Sequence, residues 1–225
     1  MANDLRVTLE IGPKGKKVVA VAPDWPGLER GATTGEAALD RVHSYRPRYA
    51  QVAQLAGMEA EFAASTTVDV VERYPGTGST DFWGISFALS GIDRHDMSRD
   101  DVERDLTLLQ ACWAFFDAVR GRVSAEMHKG PRGGGRDRDH IVRHTLGTEH
   151  DFAEKVGVRT PPGALLTDAG LRAHRAAYGN AIRAFHAEGT LARTWPLRYL
   201  IRHTAYHTLD HAWEMEDKDL SGGVR

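Results

Sequence analysis

Three histidines recur at every fourth residue near the C-terminus, in the segment RHTAYHTLDHAWEMED: His203, His207 and His211. On a helix, residues four apart stand one above the other with Cβ atoms about 5–6 Å apart. Two imidazoles at that spacing can converge on one metal ion at about 2.0–2.1 Å each. His207 and His211 fall on the same helical face as Leu200, Thr204 and Met215, the face expected to turn inward, whereas His203 lies toward its edge. Buried neutral imidazoles need hydrogen-bond partners. A shared metal meets that need and leaves each second ring nitrogen for an outer acceptor, with Asp210 and Glu214 close by in sequence. The plainer alternative is a row of half-exposed histidines that bind nothing, and a third ligand from another element decides between the two.

The chain carries 11 histidines in 225 residues, and the segment Asp139–Val156 holds three of them. His144 is placed mid-helix beside the apolar arc of Ile141, Thr145, Phe152 and Val156. His140 lies near the helix start and is expected to be exposed, and His150 follows Glu149 on the outer side. The metal set read from this pattern is His144, His207 and His211. Three histidines with an open fourth position is the arrangement of a catalytic rather than a structural site. Glu214 and Asp210 are candidates to orient the ligands, and Glu149 is a further one. Arg143 or Arg202 could hold a substrate carboxylate, against the plainer reading of arginines that solvate a helix face. The single cysteine, Cys112, sits in the apolar run LLQACWAFF and reads as a buried thiol, so a nucleophile would come from outside the chain.

These residues need a scaffold that brings distant helices together. Ser98-Arg99-Asp100-Asp101 opens a first helix with an N-cap and an acidic first turn. Leu106, Leu109, Cys112, Trp113, Phe116 and Val119 form its apolar stripe. The glycine-rich basic stretch KGPRGGGRDR leads to a second helix, Asp139–Val156, closed by Gly157. That stretch lacks the Lys-Ser/Thr ending of a phosphate-binding loop and reads as a flexible linker. A third helix spans about Thr167 to Glu188, and Pro196 fits the first turn of a fourth that reaches about Lys218. Four such helices, with long connections after the first and second, predict a four-helix bundle.

The N-terminal part differs. Arg6–Ile11 and Lys17–Ala22 flank the turn Gly12-Pro13-Lys14-Gly15 as a β-hairpin, and Leu28–Gly31 can add a short strand. Thr33 or Thr34 can cap the next helix, Thr33 standing at capping-box spacing from Glu36. Pro47 is expected to end or kink that helix, with helical character resuming at Tyr49–Met58, and Thr66–Tyr74 reads as a further strand. Between Pro75 and residue 97 lies a loop segment whose aromatics either pack on the following helices or, as Trp83 or Phe87, rim a binding pocket. The fold class expected is α+β: residues 1–74 as a small α+β module, 75–97 as a linker, and 98–225 as a metal-binding four-helix bundle.

Composition narrows the function classes. The chain is 41% apolar and 27% charged with a formal net charge of −2, which gives no electrostatic footprint for nucleic acid or an anionic membrane. No apolar run approaches the roughly 20 residues of a membrane span, and MANDLRVTLE lacks a signal peptide's apolar core. A cytoplasmic protein acting on a small molecule is the expectation.

Two segments resemble known families. DHIVRHTLGTEHDFAEKVG is similar to the second helix of DinB-like proteins, where a ligand histidine precedes an acidic residue and an aromatic. RYLIRHTAYHTLDHAWEMED resembles their last helix, whose pattern of His-x-x-x-His followed three residues on by Gln or Glu maps onto His207, His211 and Glu214. The resemblance runs from about residue 98 to 217. It implies an up-down-down-up bundle, a divalent metal (zinc or nickel) on one histidine of the second helix and two of the last, and thiol S-transferase or isomerase chemistry with a low-molecular-weight thiol such as mycothiol or bacillithiol. It makes a homodimer plausible and leaves His203 outside the pattern. The first 50 or so residues, LRVTLEIGPKGKKVVAVAPDWPGLERGATTGEAALDRVHSY, resemble HicB-like modules in their hairpin, PDWPG turn and following helix, which implies an accessory or dimerising module. The competing expectations are a non-catalytic, metal-stabilised binding protein, in which His203 or Glu214 closes the site as a fourth ligand, and a metal-dependent hydrolase.

Overall fold

The computed structural model describes residues 4–130, 134–161 and 163–221. Its N-terminal half is built on a mixed sheet of β1 (Leu5–Ile11), β2 (Val18–Val21), β3 (Glu29–Ala32) and β4 (Val68–Pro75), in the order β3-β2-β1-β4. β1–β2 and β2–β3 pair antiparallel, as the hairpin signal predicts, while β4 returns parallel to β1. A parallel return needs a crossover, supplied by α1 (Gly35–Leu55) and α2 (Glu59–Ala64). The cap of α1 is Thr34, whose side chain accepts from the Ala37 N–H, so the Thr33–Glu36 box does not form. Nor does Pro47 end the helix: α1 runs unbroken through it and buries Ala38, Val42, Tyr49, Val52 and Ala53 along one face. Packing of that face on the sheet and on α5 outweighs the loss of one backbone hydrogen bond.

The segment expected to be a loop holds two short helices, α3 (Gly78–Trp83) and α4 (Gly91–Arg94). Both begin with reciprocal capping boxes, Thr77 with Thr80 and Ser90 with Asp93, which hold turns too short to persist by propensity alone. Of its aromatics, Phe87 packs on the last long helix at His203, with ring centroids 5.7 Å apart, as one reading had it, and the other two do not. Phe82 and Trp83 stand edge to face with each other and stay exposed.

Four long helices follow: α5 (Arg99–Arg122), α6 (Arg138–Ala153), α7 (Asp168–Ala187) and α8 (Leu197–Asp217). Ser98 caps α5 in a box with Asp101, and Pro196 directly precedes α8. Gly157, at φ +78°, ends the 3-10 turn Glu154–Val156 that extends α6. α8 packs on α5 and α6, and α5 touches α7. The apolar core is continuous from the sheet through α1 into these helices. α8 is buried nearly all round because it lies between the other long helices and the N-terminal half. The PDWPG turn seats directly on it: a Cβ at Gly27 would stand 2.7 Å from Leu209 and 3.2 Å from the Ala205 backbone. Only glycine permits that approach, and its φ of +93° excludes other residues independently.

Candidate metal centre

α6 and α8 bring His144, His207 and His211 together, with one ligand nitrogen of each within 4.8 Å of the others. The Nε2 atoms of His144 and His207 stand 3.3 Å apart, and the three rings meet at steep mutual angles rather than stacking. Nitrogens at about 2.0–2.1 Å from a tetrahedral ion are separated by about 3.3–3.4 Å, so this edge already has the length a shared ion requires. Glu214 accepts a hydrogen bond from His211 Nδ1 at 2.7 Å. That fixes the tautomer of His211 and leaves Nε2 to face its partners, the carboxylate–histidine arrangement found behind metal ligands. The donor set therefore fits a divalent cation.

The electrostatics agree. Burial pushes His207 down to about 2, with His211 and His144 pushing the same way. Burial likewise lowers His144, reinforced by His211 and Arg136. Both imidazoles are thus held neutral at pH 7, the form that ligates. Burial raises Glu214, but hydrogen bonds from His211 and Lys218 outweigh it and hold the carboxylate at about 2, ionised. The same Glu214 oxygen also accepts from Arg136 at 2.7 Å, and Lys218 donates to the other oxygen at 2.6 Å.

The surroundings divide the site into distinct walls. Phe152, two turns beyond His144 on α6, turns its edge to the His207 ring at 6.2 Å. Arg136 arrives from the glycine-rich linker, with Nη2 at 3.4 Å from His211 Nδ1. His144 itself is exposed, His207 half-buried and His211 buried, so the cluster opens to solvent on the α6 side.

Several expected participants lie elsewhere. Asp210 points away from the histidines and pairs with Arg30 at 3.1 Å, because it sits about 100° around α8 from His211. Glu149 is buried rather than outward, gripped by Arg175 through both oxygens at 2.9 and 3.1 Å. Arg202 is fully buried and cannot take a substrate carboxylate, since Asp93 holds it bidentately at 2.7 and 2.8 Å and Glu29 at 3.1 Å. Arg143 and His140 are exposed, and His150 stacks on His174 outside the cluster. His203 is no ligand among the described residues. Its ring stacks on Tyr199 at 5.2 Å, edge-on to Trp195, and its Nδ1 has no hydrogen-bond partner there. Cys112 is fully buried, and burial pushes its thiol up.

Arg136 is the site residue that sequence reasoning did not single out. The linker around it shows no periodicity, and the one available signal was a cationic run directly preceding a ligand-bearing helix. No protein-family model matches this chain, and neither the curated proteins nor the solved structures contain a significant match to it.

Proposed function

We propose that this chain is a DinB-like, divalent-metal-dependent enzyme of the thiol S-transferase type, with zinc or nickel held by His144, His207 and His211. One observation carries the reading: three imidazoles converge at a point that is backed by Glu214 but open to solvent beside the exposed His144. When bound, a divalent ion there supplies a Lewis acid that lowers the pKa of a thiol or a water molecule.

The chain's own residues define what such a reaction can use. Cys112 is inaccessible, so the thiol is a co-substrate, a low-molecular-weight compound of the mycothiol kind. Glu214 orients His211 and stays ionised, which suits it to holding the ligand rather than moving protons. Phe152, buried beside the cluster, closes one edge of it, and Arg136, held by Glu214, sets a guanidinium at another. The sheet and α1 cover α8 as an accessory HicB-like module.

Metal analysis of purified protein beside His207→Ala and His144→Ala tests the ligand set. The wild type should carry one ion per chain and both variants should lose it. Stoichiometric metal retained in both would overturn the triad. A panel of thiols and electrophiles then tests the chemistry: turnover that needs added thiol supports transfer, whereas turnover without it identifies a hydrolase using the same open side.

A further inference from the structure

A second cleft, of about 370 Å³, lies on the other flank of α8, between the β2–β3 edge, α1 and α3. It shares no residue with the histidine cluster, yet it borders α8 through Tyr206 and Asp210, the residues directly preceding two of the ligands. Three cations line it: Lys17, Arg30 and Arg41. Arg30 already has a charge partner. Its guanidinium is clamped between the faces of Tyr45 at 3.8 Å and Trp213 at 4.3 Å, and Asp210 neutralises it. Lys17 and Arg41 have no carboxylate partner among the described residues, and Arg41 spends one N–H on the Gly31 carbonyl at 2.7 Å. The cleft therefore keeps an excess of positive charge.

Its remaining wall is aromatic. Trp83 lines the cleft and is 63% exposed, a large apolar surface left in water beside unpaired cations. The arrangement is built rather than incidental. Asp81 accepts from the backbone N–H groups of Lys14, Lys16 and Lys17 at 2.6, 2.8 and 3.2 Å, which ties α3 and Trp83 to the hairpin that carries Lys17. The backbones meet between them: a Cβ on Gly31 would stand 2.1 Å from the Gly84 carbonyl oxygen, and one on Gly84 2.9 Å from the Lys17 chain. Two glycines thus let the Gly31 and Gly84 backbones and the Lys17 side chain come this close.

We infer that this cleft binds a small planar aromatic anion, with its ring on Trp83 and its charged group between Lys17 and Arg41. The volume suits a ligand of that size, stacking on an exposed indole is worth about as much as a charge-assisted hydrogen bond, and a rigid frame reduces the ordering cost of binding. The anionic group can be a carboxylate or a phosphate.

Isothermal titration calorimetry with 1-naphthoate and, separately, with AMP tests the inference and tells these two sources apart. At least one probe should bind with a Kd below about 1 mM. Lys17→Ala, Arg41→Gln and Trp83→Ala should each weaken it about tenfold, and benzamide, which lacks the charge, should bind no better than the variants do. His207→Ala should bind the probe as wild type does, because an anion captured by the metal centre would be lost there instead. That control separates this inference from the proposed metal chemistry. All three substituted side chains are exposed or half-buried, so unchanged melting curves will show that the variants fold. Absence of binding for both probes, equal binding in all three cleft variants, or loss of binding in His207→Ala would each overturn the inference.

Discussion

At the scale of single residues, the imidazoles are interchangeable in type but not in surroundings. His203, His207 and His211 occupy successive turns of one helix, yet only the last two converge with His144. His203 is enclosed by Tyr199, Trp195 and Phe152, and burial beside Arg202 pushes it down to about 3. What distinguishes His211 is Glu214, three residues on, whose carboxylate fixes the proton on Nδ1 and leaves the opposite nitrogen free to ligate. Glu214→Gln keeps the size of the side chain and its hydrogen bond but removes the charge. It should weaken metal affinity about 10- to 100-fold, as outer-sphere substitutions do, measured by competition with a chromophoric chelator. Asp210→Asn, on the far flank, should leave the affinity unchanged. Equal effects of the two substitutions would show that overall charge, not the contact with His211, sets the affinity.

At the scale of elements, α8 has two duties: it presents ligands to α6 and it anchors the sheet. The second rests on a buried ionic group in which Arg202 meets Asp93 of α4 and Glu29 of β3. Glu10 of β1 lies nearby, accepting from Ser86 and Thr80 side chains and from the Phe87 and Ala88 N–H groups. Burial pushes Glu29 up to about 8 against the pull of Arg202, while Asp93, also raised by burial, is brought below its ordinary value by its paired bonds to Arg202. A carboxyl whose folded pKa is raised holds a proton that the unfolded chain releases. Its contribution is complete below about pH 4.5 and is lost as pH rises through about 8, at up to about 1.4 kcal/mol per pH unit. Glu29→Gln should therefore flatten the loss of stability between pH 5 and 8, read from urea midpoints; an identical slope in wild type and variant would show that Glu29 is ionised throughout. None of this network was legible in the sequence. The strand pattern, the Ser98 cap and the boundaries of α8 could be read because they depend on local spacing. The histidine pair on α8 could be read for the same reason, and its partner on α6 from the bundle expected around it. The inward turn of Glu149 depends on its ion pair with Arg175 of α7, and the capture of Arg202 on which face of α8 meets which neighbour, which a helix buried nearly all round has no polar stripe to reveal. Pro47 misled for a related reason, since a local penalty was overcome by tertiary packing along the rest of α1.

At the scale of the whole molecule, the sheet and the long helices share one apolar core, so neither half has a finished surface without the other. Tyr49 of α1 donates to the Pro26 carbonyl beneath it, the PDWPG turn rests on Ala205 and Leu209, and Tyr45 packs edge-on to Trp213. Removing the N-terminal half would uncover the apolar residues on that side of α8 and strip Arg202 of Glu29 and Asp93. The histidine cluster lies on the opposite side, joining α6 to α8. Metal and sheet thus hold the same helix from two directions, and their effects should separate. In the intact chain, saturating metal at about 100 times its Kd should add about 2.7 kcal/mol, a rise in Tm of roughly 5–11 °C at this chain length, absent in His207→Ala. A chain beginning at residue 98 should show no cooperative melting transition with or without metal, because the ion bridges two helices but cannot cover the exposed face of α8. Calorimetry of the two chains, each with metal and with EDTA, decides the matter: a cooperative, metal-shifted transition in the short chain would mean that the helices form a self-sufficient unit and that the shared core is incidental to the site.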